Sequence, residues 1–315
     1  MIWHFNNKPS SKFMLDILSY KRPHSGKTVD EFVKRFLRPG RDTIADGFGN
    51  LYKRVGHSST LFSCHVDTVH KQDGRQKIRY DKESGFMYLA EWSECLGADN
   101  GAGVWLMLNM IDRGVPGLYV FHQGEEKGCL GSKWILENTP ELLDGIERAI
   151  AFDRRGTTEI VTSMICGKCC SDEFAEALSD GLGMGHYPHR GHSTDVRIYK
   201  FLVPECTNLA VGMYCSHRPN ESLDFKYLGK LLVALCSMDF EALPVVRSTI
   251  NENGLSYESS GSKSKNEWAA FTRLFHEGRG DQEKMQHLKI ILDRLEASGN
   301  PYAIDSADSV RVHLV

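Results

Sequence analysis

Apolar residues recur at helical spacing near the start of the chain, first as Phe13, Leu15, Ile17 and Leu18, then as Val29, Phe32, Val33 and Phe36. Two helices are predicted there, the second stopped by Pro39-Gly40. Beyond them the period shortens. Leu51-Tyr52, Thr60 to Cys64, Leu118 to Phe121, Ala149 to Phe152 and Asn208 to Val211 read as strands. Between these runs, Gly101 to Met110, Cys129 to Leu136, Ser171 to Leu178 and Leu223 to Met238 read as helices. Ser171 is placed to cap its helix. Lys77 to Tyr80 and Phe86 to Leu89 flank a turn at Asp81 to Gly85 and read as a hairpin. Strands alternating with helices predict an α/β fold, doubly wound, with a mostly parallel central sheet and helices on both faces. In such sheets, ligands bind beyond the carboxyl ends of the strands.

The alternation ends near residue 245. Residues 1–245 are predicted to form the catalytic domain, and 246–266 a linker rich in Ser, Gly, Asn and Lys. Residues 267–315 follow as a short helical C-terminal extension, with helices from Trp268 to Phe275 and from Glu283 to Ala297. So short a segment buries little alone, so it is expected to pack on the main domain or on a partner.

Composition narrows the class. The 315 residues carry a formal charge of −3, which offers nothing to attract nucleic acid or an anionic membrane. No apolar run approaches the ~18 residues that span a bilayer. The opening Met-Ile-Trp-His-Phe lacks the apolar core of a signal peptide, so a cytoplasmic protein is expected. Nine cysteines, several inside predicted elements (Cys64, Cys206, Cys236), suit reduced thiols better than a disulfide framework. The CxxC at Cys166 and Cys169 has no second pair to complete a zinc knuckle.

Five polar segments carry the chemistry: His65-Val66-Asp67, Asp99-Asn100, Glu125-Glu126, Asp153 and His217. Each follows an apolar run or opens a Gly-rich turn, where an α/β sheet presents its strand ends. Two imidazoles and three carboxylates make a ligand set for two divalent ions, zinc first, with cobalt or manganese as alternatives. A closely spaced ion pair needs one bridging carboxylate and terminal ligands on each side. Asp99, short and at the head of a helix, is the natural bridge. His65 and Asp153 would complete one ion, Glu126 and His217 the other. Water held there would ionise near neutral pH. Glu125 cannot readily share an ion with its neighbour Glu126, because adjacent side chains diverge; it is left as general base and then general acid. Asp67, two residues from His65, could accept the other imidazole N–H and fix its tautomer.

These residues resemble the co-catalytic zinc exopeptidases, a superfamily of zinc aminopeptidases, tripeptidase-like dipeptidases and acetylornithine deacetylase-like hydrolases. The resemblance rests on residues 62–68, 96–103, 124–128, 152–156 and 216–221, in that order and at these spacings, and it covers about residues 40–240. It implies a doubly wound α/β fold, the roles just given, and a cis peptide after Asp99. In the lidded branch of the superfamily, a whole domain separates the fourth and fifth ligand segments. Here only Arg154 to Ser216 does, so the layout resembles the compact, lid-less aminopeptidases. Residues 191–195 (Gly-His-Ser-Thr-Asp) resemble their active-site loop, whereas the His-Arg-Pro-Asn-Glu turn from His217 is closer to the lidded branch.

A metal-dependent aminopeptidase or dipeptidase is therefore expected, using hydroxide held by two zinc ions with Glu125 as general base. A deacylase or amidohydrolase of the same superfamily is the alternative, and a non-catalytic, metal-stabilised binding protein a third. Candidates for substrate or oxyanion contact are His192, Asp195 and Tyr214; His186, Tyr187 and His189 stand in the same loop region. The expected partner is a peptide or small amide, and a homo-oligomer is admitted.

Overall fold

In the central strands, neighbouring residues feed opposite cores. Leu61, Leu118, Val120, Ala149 and Ala151 belong to one apolar cluster, and Phe62, Tyr119, Phe121, Ile150 and Phe152 to the other. This is the two-residue period of a strand buried on both faces, which is why these runs are apolar throughout. The computed structural model describes residues 10–38, 42–164, 167–191 and 194–247. The predicted linker beyond Arg247, the helices at 268–275 and 283–297, Pro39-Gly40, Cys166 and His192 lie outside the described residues.

Four strands form the parallel centre of the sheet, in the spatial order Gly117–His122, Thr60–His65, Arg148–Arg155 and Glu205–Tyr214. Leu51–Val55 runs antiparallel on one side. Ser222–Asp224 and the predicted hairpin, Ile78–Tyr80 with Phe86–Leu89, run antiparallel on the other. The fold is thus mixed α/β with a mainly parallel centre. Helices Ser11–Leu18, Ala98–Asp112 and Phe225–Ser237 cover one face. Leu130–Asn138 and the short 3-10 turn Asp195–Tyr199 cover the other. All four parallel strands point their carboxyl ends to the same edge, where the five polar segments gather.

The helix Ala98–Asp112 is buried on nearly every side, as its all-round apolar sequence requires. It packs so closely that a Cβ on Gly103 would meet Cys64 at 2.8 Å and press on the Phe152 carbonyl oxygen. Only glycine lets this helix lie against the His65 and Asp153 strands. Ser171 caps Asp172–Leu182 as predicted, its hydroxyl accepting from the Phe174 N–H at 3.1 Å.

Several elements differ from expectation. The helix predicted from Leu223 starts at Phe225, because Asp224 ends a short strand and accepts the Tyr227 N–H at 2.9 Å. Strands Glu159–Met164 and Tyr187–Arg190 pair in parallel beside the main sheet and were not predicted. Tyr187–Arg190 is partly exposed and contains Pro188, so it carries little apolar signal. Val246 and Arg247, assigned to the linker, are tied to the body: both donate backbone N–H groups to Glu205, at 2.8 and 2.9 Å. The cysteines among the described residues are all free thiols. Among the same residues, no helix is long and apolar enough to cross a membrane.

Candidate functional site

The ligand candidates meet at the carboxyl edge of the sheet. His65 ends the strand Thr60–His65, and Glu125 and Glu126 form a 3-10 turn just after Gly117–His122. Asp153 lies near the end of Arg148–Arg155, its backbone N–H held by Asn208 Oδ1 at 2.9 Å. Asp99 and Asn100 open the Ala98–Asp112 helix in non-helical conformation, joined by a cis peptide as the resemblance implies. His217 follows Glu205–Tyr214, in a turn with positive φ at both Cys215 and His217.

Asp99 stands between two imidazoles. Its Oδ1 is 3.1 Å from His65 Nε2 and its Oδ2 is 3.1 Å from His217 Nε2. Asp153 Oδ1 is 3.5 Å from His65 Nε2, and Glu126 Oε1 is 2.9 Å from His217 Nε2. Two triads result, His65-Asp99-Asp153 and Asp99-Glu126-His217, each with its donor atoms within 4.8 Å of one another. They share Asp99. Glu126 Oε1 and Asp153 Oδ1 are buried, each facing an imidazole nitrogen without a well-aligned hydrogen bond. Buried unpaired acceptors are costly, so a cation completes this geometry where a proton donor does not.

The electrostatics point the same way. Burial and the neighbouring Asp99 push Asp153 up to about 7. Close contact with the carboxylates of Asp99 and then Glu126 raises His217 to about 11. Burial opposes charge on His65 and Asp99, yet the imidazole–carboxylate contacts raise the first and lower the second. Without ions, imidazolium protons stand in for positive charge that the carboxylates require. Metal binding to such a site releases protons, so affinity falls as pH falls.

Asp67 holds the base turn. Its carboxylate accepts the N–H groups of Gly124 at 2.9 Å, Glu125 at 3.2 Å and Glu126 at 3.3 Å. The backbone carbonyl of Asp67 lies closer to His65 Nδ1, at 3.0 Å, than its carboxylate does, at 3.6 Å. The main chain orients the imidazole and the side chain carries the Glu-Glu turn. Glu125 belongs to neither triad built on Asp99, and Cys129 Sγ lies 3.6 Å from its Oε1. Burial pushes Glu125 up to about 9, with Asp153, Asp195 and Glu126 adding repulsion.

Asp195 is 1% exposed, accepts from Ser132 Oγ at 2.6 Å and lies 3.3 Å from His122 Nδ1, contacts that support the loop. His186 is likewise buried and bound to the Tyr227 hydroxyl at 2.7 Å. Tyr214 is half-buried, its ring 5.9 Å from Phe86. Thr194, next to the undescribed His192-Ser193, donates to Asp153 Oδ2 at 2.7 Å.

Two buried residues escaped sequence reasoning. Glu221 accepts the backbone N–H groups of Leu96, Gly97 and Asp99 at 2.8, 3.0 and 3.0 Å, so it shapes the loop that carries the shared ligand. Burial and Asp99 raise it to about 7. Arg22 ties the Val66 and Gly97 carbonyls together from the N-terminal side. The Pro-Asn-Glu run ending at Glu221 was a usable signal; a lone Arg22 was not. Glu221→Ala is expected to weaken metal binding about 10–100-fold while the chain stays folded. Competition with a chromophoric chelator measures it, and unchanged affinity would remove Glu221 from the site.

Residues 50–182 match the model of peptidase family M28. No curated protein is matched. Among solved structures, a tripeptidase from Staphylococcus aureus aligns at TM-score 0.58 and 16% identity, covering 72% of this chain and 95% of that one. Aminopeptidase PepT from Bacillus cereus aligns at TM-score 0.57 and 15% identity, over 72% and 96%. The TET1 peptidase of Pyrococcus horikoshii aligns at TM-score 0.51 and 16% identity, over 72% and 98%. At such identities the neighbours establish the fold. The family match, with the donor geometry, supports a metallopeptidase.

Proposed function

We propose, from the premise that this chain is a relative of the co-catalytic zinc exopeptidases, that it is a two-metal aminopeptidase or dipeptidase removing the N-terminal residue of a peptide. The observation that supports this most is Asp99, with one oxygen turned to each of two imidazoles and a further carboxylate beside each. The donor set fits the ions: imidazole and carboxylate suit zinc, and the buried Glu126 Oε1 and Asp153 Oδ1 lack a well-aligned hydrogen bond. His65, Asp99 and Asp153 would hold one ion, Asp99, Glu126 and His217 the other. When bound, such a pair supplies Lewis acidity toward a carbonyl and a water acidic enough to react at neutral pH.

The chain's own residues supply the rest. Glu125 takes the proton of the attacking water and passes it to the leaving amine. Its buried position makes it a strong base once ionised. Asp67 keeps Glu125 aimed by holding three successive backbone N–H groups. His217 is the most exposed candidate ligand, its side chain 48% accessible, and marks the open side from which substrate enters.

The test is turnover of amino-acid anilides and dipeptides by chelator-stripped protein, with and without added zinc, cobalt or manganese. Activity is expected to be absent after stripping and restored by metal, at two ions per chain. Restored binding without turnover of any free-amine substrate would favour an amidohydrolase; failure to bind metal would refute the proposal.

A further inference from the structure

The turn that carries Glu125 is bracketed by three left-handed residues. Gly124 and Gly128 have φ of 72° and 92°, and Cys129 follows at 58°. The two glycines adopt this conformation freely; Cys129 bears a Cβ there, at a steric cost that glycine would avoid. Side chains held in such a conformation cluster where they have a use. Backbone bonds fix Cys129 in place. Its N–H donates to the Glu125 carbonyl at 2.9 Å, and its own carbonyl accepts the Lys133 N–H at 3.1 Å and the Ser132 hydroxyl at 3.2 Å. The thiol, 3% exposed, then lies with Sγ 3.6 Å from Glu125 Oε1, within hydrogen-bond reach of a sulfur donor. Burial raises this thiol above its ordinary range, so it keeps its proton at neutral pH and donates it to the carboxylate.

Asp67 restrains the main chain of the turn through the N–H groups of Gly124, Glu125 and Glu126. The side chain of Glu125 needs a restraint of its own, and among the described residues the Cys129 thiol is the hydrogen-bond donor to its carboxylate. That restraint matters because Glu125 has two destinations. It can carry a proton, or it can join His65 and Glu126, which lie close enough to hold an ion with it. A donor on Oε1 opposes rotation of the carboxylate and leaves Oε2 to take up a proton. Resting on the peptidase function proposed above, we infer that Cys129 is a positioning residue for the general base, its thiol holding Oε1 of Glu125 so that Oε2 serves the reacting water.

Cys129→Ala and Cys129→Gly both remove the donor, and only the second also removes the steric cost. Each is expected to lower kcat by about 3–10-fold, with KM and metal content little changed. Cys129→Ser keeps a donor and is expected to restore most of the loss. Wild-type kcat in the alanine and glycine variants, recovery in Cys129→Gly alone, or a serine variant no better than alanine would overturn the proposal. Should Cys129→Ala not fold, Cys129→Gly carries the comparison. A reading independent of turnover is the infrared S–H stretch of the metal-free protein, assigned to Cys129 by its loss in Cys129→Ser. A hydrogen-bonded thiol absorbs at lower frequency than a free one. Glu125→Leu removes the acceptor, so the Cys129 band is expected to move to higher frequency; an unmoved band would overturn the proposal. If the wild type cleaves no substrate, the peptidase reading fails separately, and the infrared band alone decides whether the thiol holds Glu125.

Discussion

Glu125→Gln is expected to lower kcat by about 10²–10⁴-fold while both metal ions remain bound. The substitution keeps the side chain's shape and removes only its capacity to take a proton. Glu125 completes neither triad built on Asp99, so metal content should not change. One alternative makes the measurement decisive, because His65, Glu125 and Glu126 also lie close enough to hold an ion between them. Loss of one ion in the variant would turn Glu125 from proton carrier into ligand. In the metal-free state the variant should be at least as stable as the wild type. Burial raises the Glu125 carboxyl to about 9, so near neutral pH the folded chain must hold a proton that the unfolded chain releases. That cost is present above the ordinary carboxylate range and fades as pH falls; the amide abolishes it. Metal analysis, steady-state kinetics and thermal unfolding on one preparation cover all three expectations.

Arg22→Met is expected to destabilise the chain by about 3–5 kcal/mol, the range for removing one partner from a buried charged cluster. Arg22 is fully buried, with burial lowering its guanidinium to about 10, still protonated at neutral pH. Its Nε donates to the Val66 carbonyl at 2.8 Å, Nη2 to Gly97 at 2.9 Å, and Nη1 to Ile17 and Tyr20 at 3.2 and 3.4 Å. The guanidinium also lies 4.7 Å from the Phe32 ring centroid. Methionine fills similar volume and removes all of those donations, which sets the cost, while the Gly97 carbonyl keeps the Gly101 N–H at 3.1 Å. Lysine should rescue little, since one ammonium cannot span the forked acceptor set. Val66 follows His65 and Gly97 precedes Asp99 by two residues, so metal affinity should fall along with stability. Denaturant unfolding of the metal-free protein measures the first effect. A loss below about 1 kcal/mol with unaltered metal affinity would show that Arg22 holds neither loop.

The sequence was legible where its signal is local. Strand ends could be read from apolar runs, and the candidate ligands because their segments follow such a run or open a Gly-rich turn. His65, Glu125 and Asp153 needed only the two-residue period and the rule that parallel strands point one way. The distant contacts of Glu221 and Arg22 were hidden for the opposite reason. Glu221 holds Leu96, 125 positions away, and Arg22 holds Gly97, 75 positions away; a single charged residue has no period to announce such a contact. Strand Tyr187–Arg190 was missed because it is partly exposed and carries a proline, so apolar alternation never develops.

Chemistry-bearing residues, their order and the α/β alternation were determined by the sequence itself, because hydrophobic period and ligand type are properties of neighbouring residues. Direction was decided by the tertiary structure. Only packing turns Asp195 inward to Ser132 and His122 and gives the carboxylate of Asp67 to the Glu-Glu turn. Each of those outcomes depends on which distant group desolvates and hydrogen-bonds the side chain, and that is settled only when the chain closes on itself.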